Sequence, residues 1–140
     1  MDNASFGMGD RLMTVTGGIK VGTEYSVPMQ LSEVELTRDG KNVAPCELRV
    51  SIPELTATEL PAAASIAVSL QFSDEESFAT ATKIREISDS FAVMKGSAAG
   101  AEGIFLYFQL PRQCGRFCRV KAVGTAVGTT TKTLALDYMV

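Results

Sequence analysis

Eight consecutive residues, Ser65 to Phe72, alternate without an error: Ile66, Val68, Leu70 and Phe72 fall on one face, and Ser65, Ala67, Ser69 and Gln71 on the other. A period of two sets one row of side chains on each side of a pleated ribbon, so this stretch predicts a half-buried strand lying over a core. Ser73 ends it and, with Glu76 three residues on, has the form of a capping box that opens one short helical turn before Phe78. The acids Asp74, Glu75 and Glu76 sit where a helix dipole favours them. No second ligand cluster at suitable spacing follows, so they are read as helix-start acids and not as a metal site.

The same period recurs along the chain. Cys46 to Ile52 points Cys46, Leu48, Val50 and Ile52 inward, with Glu47, Arg49 and Ser51 outward. Residues Ile104, Leu106, Phe108 and Leu110 face one way and Phe105, Tyr107 and Gln109 the other; a strand apolar on both faces is either central in a sandwich or half inside an interface. Arg116 to Val123 sets Cys118, Val120 and Ala122 inward and Phe117, Arg119 and Lys121 outward, and Thr131 to Met139 buries Leu134, Leu136 and Tyr138. Glu24 to Leu31 is a first strand with Pro28 inside it, which marks an edge because proline has no amide to donate. Val34 to Thr37 is short and is followed by the tight-turn signal Asp39-Gly40. Pro53 to Ala64 is a connection, and Ile84, Ile87, Phe91 and Val93 serve two short strands separated near Asp89.

Seven or eight short strands with glycine and proline turns, and no long helical period, predict an all-β fold: an antiparallel two-sheet sandwich. A jelly roll and an immunoglobulin-like topology both fit this count. With no tryptophan in the chain, the Cys-Trp-Cys core of true immunoglobulin domains is absent. At 140 residues and 46% hydrophobic the chain has the size and composition of one domain with a real core. Residues 1–22 hold five glycines and only brief apolar alternation, so they are read as an extended N-terminal arm, with residues 23–140 forming the single sandwich domain. Twenty-two extended residues reach ~70 Å, enough to lie on a neighbouring molecule. A loose terminus is the alternative. Either way, deleting Met1 to Gly18 is expected to leave the thermal transition of the domain nearly unchanged.

Composition excludes several functions. A net charge of −3 without any basic block argues against a nucleic-acid partner. No apolar run approaches the ~18 residues of a membrane helix, and the N-terminus lacks the pattern of a signal peptide, which points to folding in a cytoplasm and no membrane partner. Cys114 and Cys118, four apart in an extended segment, would lie ~13 Å apart, beyond disulfide reach unless Gly115 marks a sharp bend, so thiols are expected. Without histidine there is no Ser-His or Cys-His pair and no histidine metal site; no catalytic residue, cofactor, metal or small-molecule substrate is assigned. Glu47 with Asp137 or Glu102 could be imagined as a glycosidase pair, but a chain with 16 acids offers many such pairs. The outward aromatics Phe105, Tyr107 and Phe117, with Arg119, are better explained as a contact with another protein subunit than as sugar-stacking residues.

The string Val68 to Phe78, the later Leu110-Pro111 with Arg116-Phe117-Cys118-Arg119-Val120, and the threonine-rich last strand resemble the capsid cement (decoration) proteins of tailed bacteriophages, of a podophage type similar to that of a Bordetella phage. The resemblance covers roughly residues 46–140. It implies a jelly-roll subunit without an active site that binds the outer surface of an icosahedral shell made by an HK97-like major capsid protein and fastens neighbouring capsomers against DNA pressure. It also implies location on the virion; self-association, with a dimer favoured over a trimer, is expected from the outward aromatics Phe105, Tyr107 and Phe117. The arm would suit addition of a strand to a neighbour's sheet edge. Competing readings are a receptor- or glycan-binding jelly-roll module of a tail or fibre, and a small hydrolase.

Overall fold

The computed structural model describes residues 11–31, 47–109 and 115–139, and of residues 11, 12 and 89–91 only the backbone. Among the described residues the strands are β1 (Arg11–Gly18), β2 (Gly22–Tyr25), β3 (Met29–Gln30), β4 (Glu47–Ile52), β5 (Ser65–Ser73), β6 (Arg85–Lys95), β7 (Ile104–Gln109), β8 (Phe117–Thr125) and β9 (Thr133–Met139), with one 3-10 turn at Ala81–Lys83. They form two antiparallel sheets. The first runs in the order β1-β9-β4-β7; the second runs β2-β8-β5-β6, with β3 continuing alongside β8. Apart from β2 with β3 and β5 with β6, consecutive strands lie in opposite sheets.

The period-2 pattern explains why the layers close. Leu48, Val50 and Ile52 of β4 and Leu134, Leu136 and Tyr138 of β9 meet Ile66, Val68, Leu70 and Phe72 of β5 and Cys118, Val120 and Ala122 of β8 in one core. Each is almost fully removed from water. Burying ten or so such side chains, at about 1.5–3 kcal/mol for each large one, is the dominant favourable contribution to a fold of this size. Cys118 is a thiol at 0% exposure, packed as a small hydrophobe. Cys46, Leu110 and Cys114, the Val34–Thr37 segment and the Asp39-Gly40 turn lie outside the described residues.

Several expectations are revised. The arm reading fails from residue 11 onward, because β1 pairs with β9 from Arg11↔Met139 to Gly18↔Thr133 and β2 begins at Gly22. Glycines hid this strand: at Gly17 a side chain would meet Ser26 Cα at 2.9 Å, so the residue must be bare for the edges of the two sheets to approach. The Val27 amide donates to the Thr16 carbonyl (3.0 Å), tying those edges together. Residues 1–10 lie outside the described part. Among the described residues the strand expected over Glu24–Leu31 lies at an edge, as Pro28 required, but it is interrupted: Ser26, Val27 and Pro28 oppose only Arg119 and Val120. Ser26 repairs the gap, its amide donating to the Val120 carbonyl (2.9 Å) while its hydroxyl accepts from the Val120 amide (2.8 Å). The two strands expected around Asp89 are one strand, β6, whose register against β5 slips so that Val68 alone faces residues 89–92.

The capping box forms elsewhere than expected. After Ser73 the chain makes a turn and no helix, with the Ser73 hydroxyl accepting from the Glu75 amide (3.0 Å). The reciprocal pair is instead Thr56 with Glu59: the Glu59 amide donates to Thr56 Oγ1 (3.3 Å) and the Thr56 amide to Glu59 Oε1 (2.9 Å). The same carboxylate receives Lys132 Nζ (2.8 Å) and the Thr130 hydroxyl, so it clasps the β4–β5 connection to the β8–β9 connection.

Two outcomes test this architecture. Deleting residues 1–18 strips β1 from β9, and is expected to lower the thermal midpoint, by roughly 6–10 °C if about 2 kcal/mol is lost, as read by calorimetry. The second concerns Glu59, whose pKa is held down to about 2, first by Lys132, then by Thr130 and the Thr56 amide. Because the folded value lies below the ordinary 4.5, its stabilising contribution is present above pH 4.5 and is lost as pH falls toward 2. The gap in thermal midpoint between the wild-type chain and Glu59→Gln should therefore be open at pH 6 and close toward pH 2, those two pH values being chosen at about the ends of the titration.

Candidate binding faces

The outer face of the first sheet carries a polar row that runs straight across it. Register sets Thr14 of β1 opposite Asp137 of β9, Asp137 opposite Arg49 of β4, and Arg49 opposite Tyr107 of β7. Asp137 points outward, away from Leu136 and Tyr138, yet is only 2% exposed, because its neighbours close over it. Arg49 donates to Asp137 Oδ2 through Nε (3.2 Å) and Nη2 (2.8 Å), and the Thr14 hydroxyl donates to Oδ1 (2.6 Å). The hydrogen bond to Asp137, aided by Tyr107, holds the Arg49 pKa above its ordinary value in spite of partial burial. The guanidinium also lies 4.8 Å from the centre of the Phe105 ring.

This row leaves two aromatics standing in solvent at the end of the sheet. Phe105 is 60% exposed and Tyr107 54%. Among the described residues β7 pairs with β4 alone and ends the sheet, so it is not central there, and its second apolar row stands exposed. Beside Phe105 a largely apolar groove of ≈ 350 Å³ runs between Ser51, Pro53, Gly103, Thr133 and Ala135.

The outer face of the second sheet is built differently. Gln71 of β5 sits opposite both Arg119 of β8 and Glu86 of β6. Arg119 Nε donates to Gln71 Oε1 (2.8 Å), and Gln71 Nε2 donates to Glu86 Oε1 (2.8 Å), which also pairs with Lys121 (3.5 Å). These contacts, the Gln71 bond foremost, lower the Glu86 pKa. The Arg119 guanidinium lies between two rings, 3.8 Å from the centre of Tyr25 and 4.1 Å from that of Phe78.

The four residues singled out by sequence therefore do not form one patch. Phe105 and Tyr107 share the outer face of the first sheet, whereas Arg119 lies on the outer face of the second. Phe117 is corrected outright: it is 7% exposed, flanked by Gln30 of β3 and Ser73 of β5, with the Arg116 guanidinium 5.8 Å from its ring. A residue in a strand with neighbours on both sides is hedged by them even on the nominal outer face, which alternation alone does not reveal. Asp137, once imagined in a carboxylate pair, is committed to Arg49 and Thr14. Among the described residues no group of three or more Cys, Asp or Glu side chains is placed to hold a metal ion. Arg49, Tyr25 and Phe78 were missed, because their roles arise only from register and from the turn after β5.

Comparison with protein-family models, with curated proteins and with solved structures finds no match to this chain.

The polar row makes an asymmetric prediction. Arg49→Met leaves the nearly buried Asp137 carboxylate without its cation and should cost on the order of 3 kcal/mol. Asp137→Asn leaves only Arg49, whose side chain is 21% exposed, unpaired and should cost about 1–2 kcal/mol. Urea midpoints of the two variants check the order.

Proposed function

We propose that this chain is a capsid cement (decoration) protein of a tailed bacteriophage, a structural virion component that binds the outside of an icosahedral shell, fastens neighbouring major capsid protein subunits and self-associates, as a dimer in preference to a trimer. The observation that carries the reading is the pair Phe105 and Tyr107, exposed on an edge strand beside an apolar groove. Exposed aromatics grouped in this way are typical of protein contacts, and an unpaired strand edge offers backbone donors and acceptors to a neighbour. The sandwich itself is read as a jelly roll. Antiparallel pairs β1/β9, β2/β8, β4/β7 and β5/β6, divided between two sheets that the chain enters alternately except from β5 to β6, support that topology when β2 and β3 are counted as one interrupted strand.

The same aromatics also favour a second reading, a receptor- or glycan-binding module of a tail or fibre, since rings beside a groove suit stacking on sugars. One experiment separates the two. Purified protein is mixed with empty shells that lack it and sedimented. The cement reading expects co-pelleting at fixed stoichiometry, and Phe105→Ser with Tyr107→Ser should keep the fold while weakening the hold at least tenfold, equivalent to about 1.4 kcal/mol. Absence from the pellet, with retention on a glycan array that the double variant loses, favours the second reading.

A further inference from the structure

On the opposite sheet, Arg119 presents a cation that the protein holds firmly but does not neutralise. Its Nε is taken by the neutral Gln71 side chain, its terminal nitrogens make no hydrogen bond among the described residues, and it takes part in no ion pair there. Three acids of the adjoining strand and turn are already engaged. Glu86 is held by Gln71 and Lys121, Glu75 accepts from the Thr80 amide and hydroxyl, and Asp74 accepts from the Arg116 amide.

The arginine is not left to wander. Tyr25 and Phe78 clamp the guanidinium plane from ring distances of 3.8 and 4.1 Å, and the interruption at Ser26–Pro28 lies opposite it. Phe78 reaches this position with φ at +52°, a left-handed conformation unfavourable for a bulky residue. That strain is sustained by the turn around it: Ser73 Oγ holds the Glu75 amide, the Phe78 amide donates to the Glu75 carbonyl (3.1 Å), and the Glu75 carboxylate holds Thr80. Backbone strain kept in place by several hydrogen bonds, and used to aim one ring at one cation, is the pattern of a preorganised ligand clamp. Burial lowers the Arg119 pKa, as expected of a cation that has given up water without gaining an anion, although it stays charged at any physiological pH. Alongside lie exposed Tyr25 and Val27, at 45% and 58%, which offer apolar surface to whatever docks.

We propose that Arg119, clamped by Tyr25 and Phe78, is a receptor for a carboxylate, and that its occupant is a Glu or Asp side chain flanked by apolar residues on a partner polypeptide. The planar fork of terminal N–H groups matches a carboxylate in two parallel hydrogen bonds, which lysine could not supply. Val27 and the outer part of Tyr25 take the flanking apolar side chains. The site lies on the sheet opposite Phe105 and Tyr107 and does not depend on the capsid reading: a chain that ignores shells would still bind such a segment.

The test uses the full chain, labelled with nitrogen-15, and two peptide probes, acetyl-Leu-Glu-Leu-amide and acetyl-Leu-Gln-Leu-amide, titrated while the arginine Nε–H resonances and aromatic ring signals are followed. The Glu peptide should give a saturable shift at Arg119, Tyr25 and Phe78, and the Gln peptide should bind at least about tenfold more weakly, the loss expected for a charge-assisted contact. Phe105→Ser should not alter the response, and Arg119→Gln should abolish it. If Arg119→Gln does not fold, the Glu-against-Gln comparison on the unaltered chain remains decisive. Equal responses to both peptides, no saturable shift, or shifts confined to Phe105 and Tyr107 overturn the proposal. Inorganic phosphate moving the Arg119 signals at lower concentration than the Glu peptide overturns the assignment to a carboxylate.

Discussion

The ladder between β5 and β8, nine residue pairs from Ser65↔Thr125 to Ser73↔Phe117, is the constraint on which the remaining geometry depends. On its inner side three of the four pairs match large against small, Ile66 with Gly124, Val68 with Ala122 and Phe72 with Cys118, while Leu70 faces Val120. A pair of large side chains at every step would push the facing sheet away, whereas this pairing leaves hollows that the residues of β4 and β9 fill. Interiors are packed close to crystal density, so such complementarity sets the separation of the layers. A slip of one residue would turn Leu70 and Phe72 into solvent and bring Ser69 and Gln71 into the core, and that cost fixes the register.

Once this ladder is in register, the outer face of the second sheet is determined as well. Gln71 is brought opposite Arg119 because Leu70 is opposite Val120, and the same step carries Gln71 to Glu86 on the other side. The two outer faces then diverge in their electrostatics. On the first sheet, cation and carboxylate are on neighbouring strands and neutralise each other, leaving the aromatics of β7 as its exposed feature. On the second, the residue opposite the arginine is an amide, so Arg119 is oriented without being compensated. Identical sheet geometry thus yields a closed ion pair on one face and an open cation on the other.

The connections carry their own logic. Thr56 and Glu59 close one turn on themselves, and Lys132 and Thr130 then hold that turn against the approach to β9. The turn after Ser73 has a similar density of side-chain bonds but stores strain at Phe78 and places an aromatic ring over the sheet. Well-bonded turns of this kind resist local opening because their polar groups are satisfied within the turn, without borrowing from the strands.

The amino-acid sequence by itself determined the all-β class, the strands β4, β5, β7, β8 and β9 and the direction of their inward side chains, since alternation is a local property that a half-buried strand must obey. Pro28 in the same way announced an edge, and the outward exposure of Phe105 and Tyr107 was legible from parity alone. Tertiary structure decided the rest. β1 was hidden because Gly17, bare where another edge approaches, and Gly18 beside it carry no pattern of their own. The strings Thr56-x-x-Glu59 and Ser73-x-x-Glu76 look alike in sequence, but the reciprocal cap forms at Thr56, where the β8–β9 connection packs against Glu59. Which outward residues are neighbours depends on strand order, a consequence of pairings between residues as distant as Thr14 and Asp137. Separation along the chain says nothing about such pairings, so Phe117 and Phe105, similar in local pattern, end with one buried between two strands and the other exposed at an edge.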